Sequence, residues 1–234
     1  MVLKELRSGL KKFSSKKHAK ILQWFFKTGP GDYAEGDCFI GVKVPQIRVV
    51  AKRFKDISLK ETITLLKSDI HEERLAALLI LIAKYAKEDD AGKKKIYELY
   101  LRNTNCINNW DLVDLSAEHI VGSFLRDRSR KPIYALAKSK VLWERRIAAL
   151  STYHYIKNGD FNDTLRIARM LINDREDLIH KAMGWMLREV GKRDINAEER
   201  FLKKYYKKMP RTMLRYAIER FPEPRRQAYL KGQI

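Results

Sequence analysis

Cysteine is scarce in this sequence. Cys38 and Cys106 are its only two, too few for a disulfide framework and without metal-ligand spacing, so a reducing, cytoplasmic setting is expected. Long apolar runs are missing as well, since the longest, residues 75 to 83, falls far short of a membrane span. Residues 1 to 13 scatter lysines and an arginine among single apolar residues, which is not the layout of a secretory signal. The histidines lie far apart, and His71-Glu72-Glu73-Arg74 lacks the second histidine of a zinc helix. No phosphate-cradling glycine loop, nucleophile elbow or cysteine–histidine signature occurs. Metal and nucleotide-cofactor enzymes are therefore poorly supported, and no metal site is expected.

Acidic residues are also in short supply. The chain carries 49 Lys and Arg against 29 Asp and Glu, a net charge of +20. Such an excess destabilises the compact state by self-repulsion and attracts polyanions, which makes nucleic acid the expected partner. A generally basic, solvated surface is the alternative.

What is present is helical periodicity. Leu3, Leu6 and Leu10 open one helix and Ala19, Leu22, Phe25 and Phe26 carry another, both ending before the Gly29-Pro30-Gly31 breakers. Residues 29 to 44 form a long connection, after which Pro45 suits a helical first turn. Ser58 and Glu61 make a capping box, and residues 69 to 87 read as a core helix. Further helices follow at about 91–103, 109–126, 131–139, 141–157, 161–173, 175–190, 197–208, 211–220 and 223–231. No stretch alternates like a strand. The fold is all-α.

Short turns between helices of this length suggest paired helical repeats. Glu73-Arg74-Leu75-Ala76-Ala77-Leu78 is echoed by Arg145-Arg146-Ile147-Ala148-Ala149-Leu150, a shift of two units of about 36 residues, as in HEAT-type solenoids. This register predicts a column Arg74, Trp110, Arg146, Lys181 and, one turn on, Leu78, Asp114, Leu150, Trp185. A carboxylate in an otherwise apolar column asks for a reason. Asn109 reads as the cap of the helix that carries Trp110 and Asp114 on one face. Core packing is the plain explanation for Trp110 and Trp185, and for Trp143; a salt bridge to a neighbouring helix is the plain one for Asp114. Arg146 and Arg145 would by default face solvent.

Five segments, taken in order, sharpen the reading: Phe39-Ile40-Gly41-Val42-Lys43-Val44-Pro45 with Arg48, Asn109 to Asp114, Trp143 to Ala148, Lys181 to Glu189, and Pro210 to Ala217. Together they resemble the AlkD-like family of DNA alkylation repair glycosylases, built from HEAT-like repeats. The resemblance implies a right-handed superhelical solenoid with a basic concave face, residues 1–234 forming a single domain that acts as a monomer. It implies excision of N3- or N7-alkylated purines from duplex DNA by hydrolysis of the N-glycosidic bond, in base excision repair, without metal or organic cofactor. Carried over by motif, the catalytic aspartate falls on Asp114, the site tryptophans on Trp110 and Trp185, and the backbone-contacting arginine on Arg146. Arg74, Lys181, Lys43, Arg48, Arg211 and Arg215 are the expected DNA contacts. Two rivals remain: a non-catalytic nucleic-acid-binding solenoid and a scaffold whose basic groove takes an acidic partner.

Overall fold

The computed structural model describes residues 2–234; Met1, the first residue of the amino-terminal stretch considered above, lies outside them. Among the described residues the extended pairing is one isolated parallel bridge, Cys38 to Ile70, and everything regular is helical. No helix is long and apolar enough to cross a membrane. The chain divides into two compact units, Met1–Leu112 and Val113–Ile234.

The first unit holds α1 (Val2–Lys11), α2 (Lys16–Phe25), α3 (Val44–Arg53), α4 (Leu59–Leu66), α5 (His71–Tyr85), α6 (Asp90–Arg102) and the first residues of α7 (Trp110–Ala117). Helix α5 is its core, with α1, α3, α4 and α6 packed on it. Leu75, Leu78, Ile80 and Leu81 are buried there while Leu79 and Ile82 are half-buried, so the core helix read from residues 69 to 87 is covered on nearly every side and not along one stripe. Pro45 lies in the first turn of α3, and Ser58 and Glu61 form the expected capping box at α4. Helix α2 buries none of its own residues and leaves Ile21, Trp24 and Phe25 exposed.

In the second unit α7 runs on through a π-helical turn, Glu118–Gly122, into α8 (Ser123–Leu125). Then come α9 (Lys131–Ala137), α10 (Leu142–Lys157), α11 (Asn162–Met170), α12 (Asp177–Gly191), α13 (Ile195–Tyr205), α14 (Arg211–Ala217) and α15 (Glu223–Lys231). Helix α10 packs on the π-helical turn, α9, α11 and α12, while α12 packs on α11, α13 and α14. Two glycines permit close approach: a Cβ at Gly184 would lie 2.5 Å from the Met213 carbonyl oxygen, and one at Gly122 would overlap that of Ser151. Glu198 of α13 is buried against Gly191, and this desolvation, with Glu199 nearby, pushes its carboxyl up to about 9.

The helix starts correct the repeat register. Ser68 Oγ accepts from Ile70 N, Ser139 Oγ from Val141 N, and Asp174 Oδ1 from Glu176 N, the same turn before α5, α10 and α12. Six residues after each of these turn residues, Arg74 donates to the Ser68 carbonyl and Arg145 to the Ser139 carbonyl, and a His180 nitrogen meets that of Asp174. Arg74 thus corresponds to Arg145, not Arg146. Counting from the first residues of α5, α7, α10 and α12, Leu75, Asp114, Arg146 and Lys181 each stand fifth in their helices, and Leu79, Leu150 and Trp185 each stand ninth. The sequence echo is one residue out because Leu-Ala-Ala and Ile-Ala-Ala can be matched by composition while the turns fix a different phase.

Candidate active site

In the first unit a carboxylate is caught by backbone. Glu72, in the first turn of α5, accepts from the amides of Ile40, Gly41 and Val42 at 2.7 to 3.1 Å, a nest of N–H groups suited to a buried anion. Gly41 has φ +81, and a Cβ there would overlap the Ser15 carbonyl oxygen, so glycine is required on both counts. The motif around residue 40 is therefore an anchor for α5.

Next to it lies a buried charge network. His71 Nδ1 is 2.8 Å from Asp37 Oδ2, and His71 Nε2 is 2.8 Å from Asp111 Oδ2. Arg74 Nη2 donates to Asp37 Oδ1 at 2.5 Å and Asn109 Nδ2 to Asp37 Oδ2 at 3.3 Å. Burial works to raise the Asp37 carboxyl, but His71 and Arg74 outweigh it and hold it below its usual range. Asn109 is wholly buried, and its Oδ1 accepts from Trp110 N at 2.8 Å. It stands immediately before α7 as part of this network, its oxygen taking the adjacent amide and not one from the next two residues, as a cap would.

Above the network stand aromatic rings. Trp110, half-buried, stacks on Phe26 with centroids 5.1 Å apart and planes 13° apart, and meets Phe25 edge-on. Phe26 stacks on Phe39, and Phe39 on His71 at 4.4 Å. The rings line a cleft of about 440 Å³ that also includes Leu22, Val42 and, at its edge, exposed Lys43.

Within the second unit lies a separate ion pair. Arg146 Nε and Nη2 donate to the two oxygens of Asp114 at 2.8 and 2.7 Å, a bidentate fork. Arg146 Nη1 donates to the Leu178 carbonyl. The Arg146 side chain is 6% exposed and that of Asp114 18%. Trp185, half-buried, lies beside Tyr153 and donates Nε1–H to Glu189 at 3.2 Å. Burial tends to raise the Glu189 carboxyl; Lys192, Arg193 and the Trp185 indole outweigh it and hold it low.

A family model described as DNA alkylation repair enzyme matches residues 6–221. The chain belongs to that family. Its fold is similar to that of a solved structure described as a predicted DNA alkylation repair enzyme from Enterococcus faecalis, with a TM-score of 0.69 at 14% identity over 90% of this chain and 97% of that one. No curated protein sequence matches. Membership in an alkylation repair family gives the chain a role in repair of alkylated DNA and makes DNA its partner.

For a DNA repair protein the expected contacts divide cleanly by exposure. Lys43, Arg48, Arg211 and Arg215 are exposed, with Arg211 also donating to the Leu230 carbonyl. Lys181 is half-buried and paired with Asp177 at 2.8 Å. Arg74, expected as a DNA contact, is 5% exposed, with its Nη groups committed to Asp37 and to the Ser68 and Asp69 carbonyls. Arg146, expected to face a phosphate, is turned inward to Asp114 for the same reason. Arg145 likewise pairs with Asp174 instead of facing solvent. Trp143 is a buried packing residue. The residues that sequence reasoning passed over are Asp37, His71 and Asp111. An isolated histidine 34 residues from one partner and 40 from the other leaves no local pattern to read.

Proposed function

We propose that this repair enzyme is a monofunctional DNA glycosylase that releases N3- or N7-alkylated purines from duplex DNA by hydrolysis of the base–sugar bond. The observation that supports it most is the Asp114 carboxylate, gripped at both oxygens by the Arg146 fork, in a chain of the alkylation repair family. Alkylation at N3 or N7 makes the purine cationic and a good leaving group, so no strong acid is needed to protonate it. Positive charge then develops on the deoxyribose. A carboxylate about 4 Å away attracts it by roughly 4 kcal/mol at an effective dielectric near 20, and only the part exceeding its ground-state attraction speeds the reaction.

Arg146 has two opposing effects in this reading. Its fork orients the carboxylate and keeps it ionised, while its own charge weakens the field of the pair at a distance. Asp114 must therefore act in close contact with the sugar or with the attacking water. Trp110 and Trp185 offer ring faces that attract a cationic sugar or base by about 0.5 to 2 kcal/mol, and Lys43, Arg48, Arg211 and Arg215 contact phosphates. The enzyme works as a monomer without metal or organic cofactor.

The deciding experiment incubates methylated duplex with the protein and measures free base by chromatography, alongside Asp114→Asn. N7-methylguanine is expected to be released by the native chain and at least about a hundredfold more slowly by the variant, the scale of a lost charge-stabilising group. A variant that binds duplex and releases base at an unchanged rate removes Asp114 from the mechanism. Binding without release from any alkylated duplex makes the protein a non-catalytic binder.

A further inference from the structure

His71 is 2% exposed and meets a carboxylate at each ring nitrogen, Asp37 at Nδ1 and Asp111 at Nε2, both at 2.8 Å. A neutral imidazole has one N–H and would turn a lone pair toward one of those carboxylates. Only the imidazolium satisfies both. The residues flanking Trp110 are both tied to this cation, Asp111 directly and Asn109 through Asp37. The Trp110 ring itself rests on a stack, Phe26 then Phe39, whose far end is the His71 ring.

We propose that His71, held as an imidazolium, is a positioning residue for Trp110: it fixes the first turn of α7 and the base of the ring stack, and so sets the attitude at which the indole meets an alkylated nucleotide. This goes beyond the glycosylase reading but rests on it for the role of Trp110. Burial alone would drive the proton off His71; hydrogen bonds and charge from Asp111 and Asp37 outweigh burial and hold its pKa at about 9. The other charged or titratable groups at this place are Arg74 on Asp37, Glu72 in its nest of amides, and His18 and Lys43 in the cleft lining. Among the described residues no other basic side chain hydrogen-bonds or ion-pairs with Asp111, so loss of the His71 proton removes its charge partner there.

Two measurements test the proposal without any base release. In protein labelled with ¹⁵N in histidine, both His71 ring nitrogens should stay protonated through pH 8 and titrate near 9; a neutral tautomer at pH 7 overturns the proposal. In a chain where Trp24, Trp143 and Trp185 are replaced by phenylalanine, Trp110 emission should shift as pH passes about 9 and should already be shifted at pH 7 in His71→Gln. Asp111→Asn, which keeps the histidine and removes one carboxylate, should move the titration and the emission change together to lower pH. It decides the matter even if His71→Gln does not fold. With methylated duplex, His71→Gln should slow base release between about tenfold and a hundredfold, the scale of a misplaced contact, with affinity for undamaged duplex kept within twofold. Unchanged Trp110 emission in both variants sinks the positioning role. If the native chain releases no base, the glycosylase reading fails, and the ring titration and Trp110 emission still judge His71.

Discussion

Replacing Arg146 by alanine strips the half-buried Asp114 carboxylate of a bidentate partner. Removing one side of such a pair is expected to cost about 3 kcal/mol, read as a lower urea midpoint, and to slow base release. Arg146→Lys should recover little of either, because an ammonium cannot reproduce the planar fork that spans both oxygens. Asp114 and Arg146 were each recognisable in the sequence by motif. Their pairing was obscured because the repeat echo is one residue out of phase with the helix starts, which put Arg146 level with Trp110 instead of Asp114. Side-chain partners separated by a whole repeat depend on that phase, and an error of one position turns a residue by about 100° around its helix.

Among the described elements, α7 runs on into a π-helical turn. Its π-helical turn, Glu118–Gly122, lies against α10, and Gly122 meets the Ser151 carbonyl there. Intrinsic helix propensity alone would favour Gly122→Ala by up to about 1 kcal/mol. The contact reverses the sign: overlap with a backbone oxygen should destabilise by about 1 to 3 kcal/mol. Gly184→Ala, 2.5 Å from the Met213 carbonyl oxygen, should behave alike, and chemical denaturation of both variants measures it. Helices were legible because apolar spacing, Pro45 and the Ser58–Glu61 box are local signals, and α15 begins and ends where its pattern predicts. The π-helical turn, the amide nest around Glu72 and the His71 network were not legible, since each depends on chain segments brought together only by folding.

At the scale of the whole molecule the +20 charge governs the encounter with DNA. If six to ten cations lie on phosphates, duplex affinity should fall roughly 10³ to 10⁵-fold between 50 and 200 mM salt. Each alanine at exposed Lys43, Arg48, Arg211 or Arg215 that removes a phosphate contact should reduce the slope by about one, whereas variants of buried Arg74 should act on stability instead. A titration at several salt concentrations separates the two. Glu198 carries another consequence. Its folded pKa of about 9 stands above the ordinary 4.5, as that of His71 stands above 6.5. The stabilisation from His71 is complete below pH 6.5 and lost as pH rises through 9; the cost of ionising Glu198 grows from pH 4.5 upward over the same window. Both therefore lower stability between pH 6.5 and 9, each by about 1.4 kcal/mol per pH unit where the folded chain holds the proton and the unfolded one does not. His71 belongs to Met1–Leu112 and Glu198 to Val113–Ile234. At pH 8 the melting of each unit should expel about one proton into the buffer, so calorimetric enthalpies measured in buffers of different ionisation heat would count the units as they open.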